Sequence, residues 1–241
     1  MITGKSINRV ILLLLAIVFL CTNTAYSSEG TLRVPITTKY GNGRVQEVLA
    51  SNGTVASDMK IIQGLEREIA NLESEGLKGV YDGVGYVSGM ASISAIFRYA
   101  LEETKIDPTN KAEIIIYKPA YGCTDNLGTQ LNGTLANKVK SVIGLDALKE
   151  EVNSNTVLVF FESPANPSLK IVDIEELTRI VKNINPRALV GFDNTFATSK
   201  GQRPLKHGVD ISMVGLTKGM SGSGDVIGAV LTAKRSIARK L

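Results

Sequence analysis

The stretch Thr156–Phe161 most constrains the fold, because five of its six residues are apolar. A continuous apolar run of this length is typical of a strand covered on both faces, as in parallel sheets. Ala188–Phe192 and Ile211–Gly215 have the same character, and stretches with helical spacing separate the strand candidates. Strands that alternate with helices predict an α/β domain with a mostly parallel sheet and helices on both faces.

The remaining elements follow from periodicity and from helix-capping residues. Apolar residues at helical spacing between Ile61 and Leu72 predict a helix that begins at Ser57 or Asp58 and is ended by Gly76 and Gly79. The other predicted helices are Ala91–Glu102, Leu145–Glu151 and Ile174–Asn183 (the last capped by Asp173), and the other predicted strands are Val84–Val87, Glu113–Tyr117 and Val226–Thr232. Pro119–Thr124 is predicted to be a loop.

Residues 1–27 are typical of a secretory leader, in which Lys5 and Arg9 precede the apolar run Val10–Leu20. The alternative is a mis-assigned start codon or an upstream extension. We expect a secreted or periplasmic protein if the leader is functional, and a cytoplasmic one otherwise. The run is short for a bilayer span, so no stable membrane span is expected after leader removal. Residues 28–56 are predicted to form an extended arm, which leaves 57–241 for the α/β domain.

Composition excludes several classes of function. The formal charge of +4 falls to +2 without the two basic residues of the leader, and no basic cluster is interleaved with aromatic residues. Nucleic-acid binding therefore has little support. Cys123 is the only cysteine after the leader, so no intrachain disulfide is expected, and no cluster of residues has metal-ligand spacing.

Glycine, polar and charged residues follow five of the predicted strands. Because the carboxyl ends of parallel strands meet at one edge of a sheet, these residues are expected to share a ligand site there. The alternative is that they lie in unrelated surface loops. The residues are Gly89, Tyr121, Glu162, Asn166, Asp193 and Lys218.

Asp193 and Lys218 follow apolar runs in which an unpaired charge would be costly. A desolvated amine at such a place is a nucleophile toward carbonyl compounds, and a carboxylate pairs with a protonated ring nitrogen. A lysine for a Schiff base and an acid opposite a pyridine nitrogen are what a pyridoxal phosphate site needs. Gly89, at a helix start, would leave backbone N–H groups for an anion; a plain N-cap by Ser88 is the alternative. His207 is predicted to be a loop residue.

Six motifs follow one another along the chain: LEREIANLE (Leu65–Glu73), SGM (Ser88–Met90), YGCT (Tyr121–Thr124), ESPANPSLKIVDI (Glu162–Ile174), DNTFAT (Asp193–Thr198) and TKGMSGSGD (Thr217–Asp225). In this order and with similar gaps, they resemble the pyridoxal-phosphate-dependent Cys/Met metabolism (trans-sulfuration) family, which includes cystathionine γ-synthase, cystathionine lyases and methionine γ-lyase. The resemblance implies the large domain of a fold-type I enzyme that acts on a small sulfur amino acid.

The resemblance also implies a role for each matched residue. Lys218 would hold the cofactor as a Schiff base and move substrate protons, and Asp193 would keep the pyridine nitrogen protonated. Tyr121 would stack on the ring and act as an acid toward the leaving sulfur, while Asn166 would bond the phenolic oxygen. The backbone N–H groups of Gly89 and Met90, together with the Thr217 hydroxyl, would bind the phosphate.

The chain also departs from the family pattern. Gly215 stands where the family has a serine, and Gly219 and Ser223 stand where it usually has tyrosine and histidine. The family's C-terminal domain, which supplies an arginine for the substrate carboxylate, would begin beyond Leu241, so we expect an incomplete site. Family members are usually dimers or tetramers, which implies a homo-oligomer here.

Three hypotheses about function remain open. The first is an enzyme, a carbon–sulfur lyase or transferase that uses pyridoxal phosphate. The second is an exported, catalytically inactive remnant of the same family that keeps the fold. The third is a module that binds small anions or a partner chain.

Overall fold

The computed structural model describes residues 54–103, 111–130, 139–222 and 226–241. Its strands are β1 (Tyr81–Tyr86), β2 (Glu113–Lys118), β3 (Val139–Ile143), β4 (Thr156–Glu162), β5 (Leu189–Asp193), β6 (Ile211–Gly215) and β7 (Ala229–Lys234). Its α-helices are α1 (Thr54–Glu73), α2 (Gly89–Glu103), α3 (Gly122–Gln130), α4 (Leu145–Glu151), α5 (Ile174–Ile184), α6 (Thr198–Gly201) and α7 (Arg235–Ala238), with a 3₁₀ turn at Pro204–His207 and a π turn at Leu216–Met220.

The seven strands form one sheet in the order β1-β7-β6-β5-β4-β2-β3. Strand β7 is antiparallel to both of its neighbours, whereas the pairs from β6 across to β3 are parallel. Six strands therefore run in one direction, and the mostly parallel sheet predicted from the sequence is confirmed. Their carboxyl ends lie at one edge of the sheet, which is where ligands bind in folds of this kind.

Helices cover both faces of the sheet, as predicted. Neighbouring residues of β4 show how the two cores are built, because successive side chains of a strand point to opposite faces. Phe160 packs edge-on against Phe97 of α2, with 5.6 Å between ring centroids. Phe161 packs against Phe192 on the other face, at 4.8 Å, in the core that also contains α4 and α5. Every residue of β4 is buried, which explains its continuous apolar run.

Several element boundaries differ from the predictions. Helix α1 begins at Thr54, so the last three residues of the predicted 28–56 arm are helical; Thr, Val and Ala contain no helix breaker. The predicted loop at Pro119–Thr124 is interrupted by α3, which begins at Gly122. The last strand begins at Ala229 because Gly228 bonds instead to Leu216 and Thr217 of the π turn.

Other boundaries agree with the sequence. Strand β6 and helix α4 have the predicted bounds, and α5 is capped as predicted, with the Asp173 carboxylate accepting from the Glu176 N–H at 2.9 Å. The predicted leader and most of the predicted arm lie outside the described residues. Among the described helices, none has the length and apolar character needed to cross a bilayer.

Candidate active site

A cavity of about 510 Å³ lies at the carboxyl edge of the sheet. The structure brings all seven predicted site residues to its wall: Gly89, Met90, Tyr121, Asn166, Asp193, Thr217 and Lys218. The wall also contains residues to which the family resemblance assigned no contact with the cofactor, namely Ser88, Ile93, Glu162, Pro164, Thr195, Phe196, Met213, Gly215 and Gly219. The predicted strand ends therefore converge on one space.

Asp193 is the last residue of β5 and lies beside Glu162 of β4 in the sheet register. Its Oδ1 atom accepts a hydrogen bond from the Thr195 N–H at 2.8 Å. Burial raises the pKa of Asp193 to about 6, although hydrogen bonds from Thr195 act in the opposite direction. The pKa is raised because the ionised carboxylate is held away from water. A cation beside Asp193 would stabilise that carboxylate and would itself be stabilised by it. A protonated ring nitrogen is such a cation.

The start of helix α2 provides backbone donors to the cavity. The Ser88 hydroxyl accepts from the N–H of Ala91 at 3.1 Å, so Ser88 is an N-cap, as one reading of the sequence proposed. The described residues provide no hydrogen-bond acceptor for the N–H groups of Gly89 and Met90, the first two residues of the helix. Capping and anion binding are therefore compatible here, since the cap occupies a different N–H group.

Thr217 and Lys218 lie beyond β6, in the π turn Leu216–Met220. The Thr217 Oγ1 atom accepts from the Gly228 N–H at 3.4 Å, which leaves the hydroxyl proton able to donate to a ligand. Leu216 is buried beside Val230 and fixes the start of the turn.

The surroundings of Lys218 differ from the prediction. The sequence predicts an amine desolvated at the end of a core strand, but Lys218 is exposed and follows the strand end at Gly215 by three positions. The reason is local, because the chain leaves the sheet at Gly215. Leu216 turns back into the core and Met220 packs against the same cluster, whereas the backbone of Lys218 (φ −106°, ψ −128°) breaks the helical path.

Glu162 connects two parts of the cavity wall. The sequence predicts that it shares the ligand site but assigns it no individual role. It is only 5% exposed, and its Oε1 atom accepts from the backbone N–H of Asn166 at 2.6 Å. The backbone of Tyr121 makes a second, smaller hydrogen-bonding contribution. Burial is the main reason that its pKa is raised to about 7, and the charge of Asp193 adds to the effect. Tyr121 lies 41% exposed at the cavity wall, and a hydrogen bond with Cys123 raises its pKa.

Thr195 accounts for the glycine at position 215. Its Oγ1 atom accepts from the Gly215 N–H at 2.8 Å. A Cβ atom added at Gly215 would lie 3.0 Å from both Oγ1 and Cγ2 of Thr195. The position where the family pattern has a serine is therefore closely packed against this threonine.

A buried polar network lies behind the cavity, on the opposite face of the sheet. Glu73, at the end of α1, is fully buried and accepts from the Ser212 hydroxyl at 2.6 Å and from the Asn194 amide at 2.9 Å. Burial raises the pKa of Glu73 to about 7. A signal for this network exists in the sequence, because Leu65, Ile69 and Glu73 are spaced by four residues and so share the buried face of α1.

The wall of the cavity fits the functional groups of pyridoxal phosphate. Free N–H groups at a helix N-terminus and a threonine hydroxyl suit a phosphate dianion. A carboxylate suits a protonated pyridine nitrogen, and an amine suits an aldehyde. Residues 59–241 match the family model for Cys/Met metabolism PLP-dependent enzymes.

The chain belongs to that family.

Relatives and solved structures agree with this assignment. An L-methionine gamma-lyase from Fusobacterium nucleatum is 38% identical over 180 residues, which cover 73% of this chain and 42% of the relative. A cystathionine beta-lyase from Lactococcus lactis is 34% identical and is matched over 70% of this chain and 41% of its own length. The chain thus spans about two fifths of the length of the curated relatives it matches.

One solved structure links the family to its cofactor. A putative O-acetylhomoserine (thiol)-lyase from Campylobacter jejuni, with N′-pyridoxyl-lysine-5′-monophosphate, has a TM-score of 0.56 and is 31% identical. The match covers 74% of this chain and 40% of that one. Pyridoxal phosphate is the cofactor of this family, as the sequence analysis predicted.

Proposed function

We propose that this chain carries the cofactor half of a pyridoxal-phosphate-dependent carbon–sulfur lyase or transferase that acts on a sulfur amino acid. The observation that carries the proposal is the single cavity that joins Asp193, Lys218 and the N-terminus of α2. The relatives named as lyases of methionine and cystathionine support the substrate class. Turnover assays with methionine, cystathionine, homocysteine and cysteine distinguish among these substrates.

The chain's own residues divide into binding and proton-handling groups. The N–H groups of Gly89 and Met90, with the Thr217 hydroxyl, would hold the phosphate, because a helix N-terminus favours an anion. Asp193 would hold a proton on the ring nitrogen, and Asn166 would bond the phenolic oxygen. When bound, pyridoxal phosphate supplies an electron sink for the electrons released at the substrate Cα.

Two side chains would then move protons. Lys218 would carry the cofactor covalently and afterwards take the proton from the substrate Cα. Tyr121 would give a proton to the leaving sulfur. Tyr121 is exposed at the cavity wall, and a phenol holds its proton at neutral pH, so the donor form is present there.

The first test is the visible spectrum of the purified chain with pyridoxal phosphate. We expect a band from the lysine-bound cofactor that Lys218→Ala abolishes. Asp193→Ala should weaken binding about 10–100-fold, since a hydrogen bond to a charged group contributes roughly 1.5–3 kcal/mol. His207→Ala is the matched control, because His207 is exposed and is absent from the cavity wall.

The second measurement separates an enzyme from an inactive remnant. Cysteine, homocysteine, cystathionine or methionine is added, and pyruvate or 2-oxobutyrate is assayed. Turnover supports a lyase, whereas a lysine-bound band without turnover favours a cofactor-binding remnant. Absence of the band, or equal effects of the substitutions at Asp193 and His207, would refute the proposed site.

A further inference from the structure

Glu162 holds together two segments that approach the cavity from different strands. It is the last residue of β4, and its carboxylate accepts the Asn166 N–H at 2.6 Å from the loop that follows β4. The backbone of Tyr121, which follows β2, also bonds to it. The loop around Asn166 is fixed a second time where the Ala165 N–H donates to the Lys170 carbonyl. Glu162 thus sets the relative position of two segments proposed to contact the cofactor.

The charges around Glu162 disfavour its ionisation. Asp193 is its neighbour in the sheet register, and Asp125 of α3 is the second acidic group that acts on it. Lys118 is ion-paired with Asp125, which reduces the effect of that acid. Lys218 lies on the same cavity wall and is exposed. Among these charges, the carboxyl group of Asp193 therefore has the largest effect on the ionisation of Glu162.

An ionised Glu162 suits its hydrogen bonds better than a protonated one. A carboxylate accepts on both oxygens, whereas a protonated carboxyl group carries a donor that needs an acceptor. Beside an ionised Asp193, the protonated form of Glu162 is favoured, because the negative charge of Asp193 raises the pKa of Glu162. A cationic ring nitrogen next to Asp193 would remove this advantage, because its charge stabilises both carboxylates.

We propose that Glu162 is a positioning residue for the cofactor, and that it gives up its proton when the cofactor binds. The inference rests on the proposed function, since it takes the cationic ring nitrogen at Asp193 as given. It assigns Glu162 no contact with the substrate. Glu162 acts on cofactor binding through Asn166 and Tyr121, because its carboxylate accepts hydrogen bonds from their backbones.

The expected effect on cofactor affinity can be calculated. With a pKa of about 7 in the free protein, the Glu162 carboxyl group is protonated about ten to one at pH 6 and deprotonated about ten to one at pH 8. If only the ionised form suits the bound state, the affinity for pyridoxal phosphate falls by about fivefold to tenfold between pH 8 and pH 6 for this reason alone.

The test compares pyridoxal phosphate titrations at pH 6, 7 and 8, followed by visible absorbance. The charge of the cofactor phosphate also changes with pH, so the informative quantity is the ratio of the wild-type affinity for pyridoxal phosphate to that of Glu162→Gln. We expect this ratio to fall by about fivefold to tenfold as the pH falls from 8 to 6, because glutamine cannot be protonated in this range. Glu162→Asp should retain the pH dependence. Glu150→Gln, an exposed site on α4, should follow the wild type at every pH.

Parallel pH profiles for the wild type and Glu162→Gln would overturn the proposal. A second measurement does not depend on the cofactor. Amide hydrogen exchange of Asn166 at pH 8 should be faster in Glu162→Gln than in the wild type, because a charged acceptor has been lost; unchanged exchange would also count against the positioning role. Failure of the proposed function has a different signature, namely no lysine-bound band in the wild type while the exchange at Asn166 still differs.

Discussion

The buried carboxyl group of Glu73 predicts an unusual dependence of stability on pH. Its pKa is about 7 in the folded chain, compared with an ordinary value of 4.5, and burial is the largest cause. The folded state therefore binds this proton more tightly than the unfolded state. The stability contributed by Glu73 is fully present below pH 4.5 and is lost as the pH rises to 7.

The magnitude follows from the difference between the two pKa values. Each unit corresponds to about 1.4 kcal/mol, so ionisation of Glu73 costs roughly 2–3 kcal/mol of unfolding free energy between pH 5 and pH 8. Glu73→Gln removes the titration. The glutamine carbonyl can still accept from Ser212 or Asn194, so part of the network remains. Between pH 5 and pH 8, the unfolding free energy of Glu73→Gln should therefore rise by about 2–3 kcal/mol relative to that of the wild type.

The assay is urea denaturation at half-unit steps from pH 5 to pH 8.5, without cofactor. Glu162 and Asp193 also have raised pKa values and titrate in the same range, so the wild-type curve contains all three effects. The difference between the wild type and Glu73→Gln isolates Glu73, and Glu150→Gln should track the wild type. Parallel curves, or a wild type that gains stability over the variant as the pH rises, would refute the reasoning.

Two further predictions concern glycines at close contacts. Gly83→Ala should lower the unfolding free energy by about 3 kcal/mol or more in urea denaturation, because the new Cβ would lie 2.2 Å from the backbone oxygen of Glu66. Gly122→Ala is the control. A Cβ there would have no atom within 4 Å, so stability should be nearly unchanged. Gly215→Ser should lower the unfolding free energy by about 1 kcal/mol without tightening pyridoxal phosphate binding, because Thr195 must first move aside. Unaltered stability together with tighter binding would contradict this prediction.

The sequence predicted the central strands and the edge at which the site lies, because these depend on apolar runs and on the order of elements. It missed β3 for a physical reason. This edge strand has a single buried residue, Val142, so it shows neither an apolar run nor alternation. An edge strand pairs on one side and can tolerate such a composition.

Local motifs also did not predict the environment of side chains after the strand ends. The sequence placed Lys218 beside the site but assumed a buried amine, since the π turn that exposes it depends on how Leu216 packs against α1 and β7. Glu73 lies within a recognisable motif, yet a helical glutamate is ordinarily taken as solvent-facing. Only its partners, Asn194 directly after β5 and Ser212 on β6, make its burial acceptable, and these are distant in the sequence.

The tripeptide Asp193-Asn194-Thr195 explains how the cavity and the network behind it depend on each other. Asp193 lines the cavity, while Asn194 bonds to Glu73 on the opposite face. The Asn194 N–H is held by the Met213 carbonyl at 2.7 Å, and Thr195 returns to bond both Asp193 and Gly215 at 2.8 Å. Because successive side chains alternate between faces, a shift that improved one contact would disturb the others. The support of the carboxylate at the site therefore extends through the sheet to the end of α1.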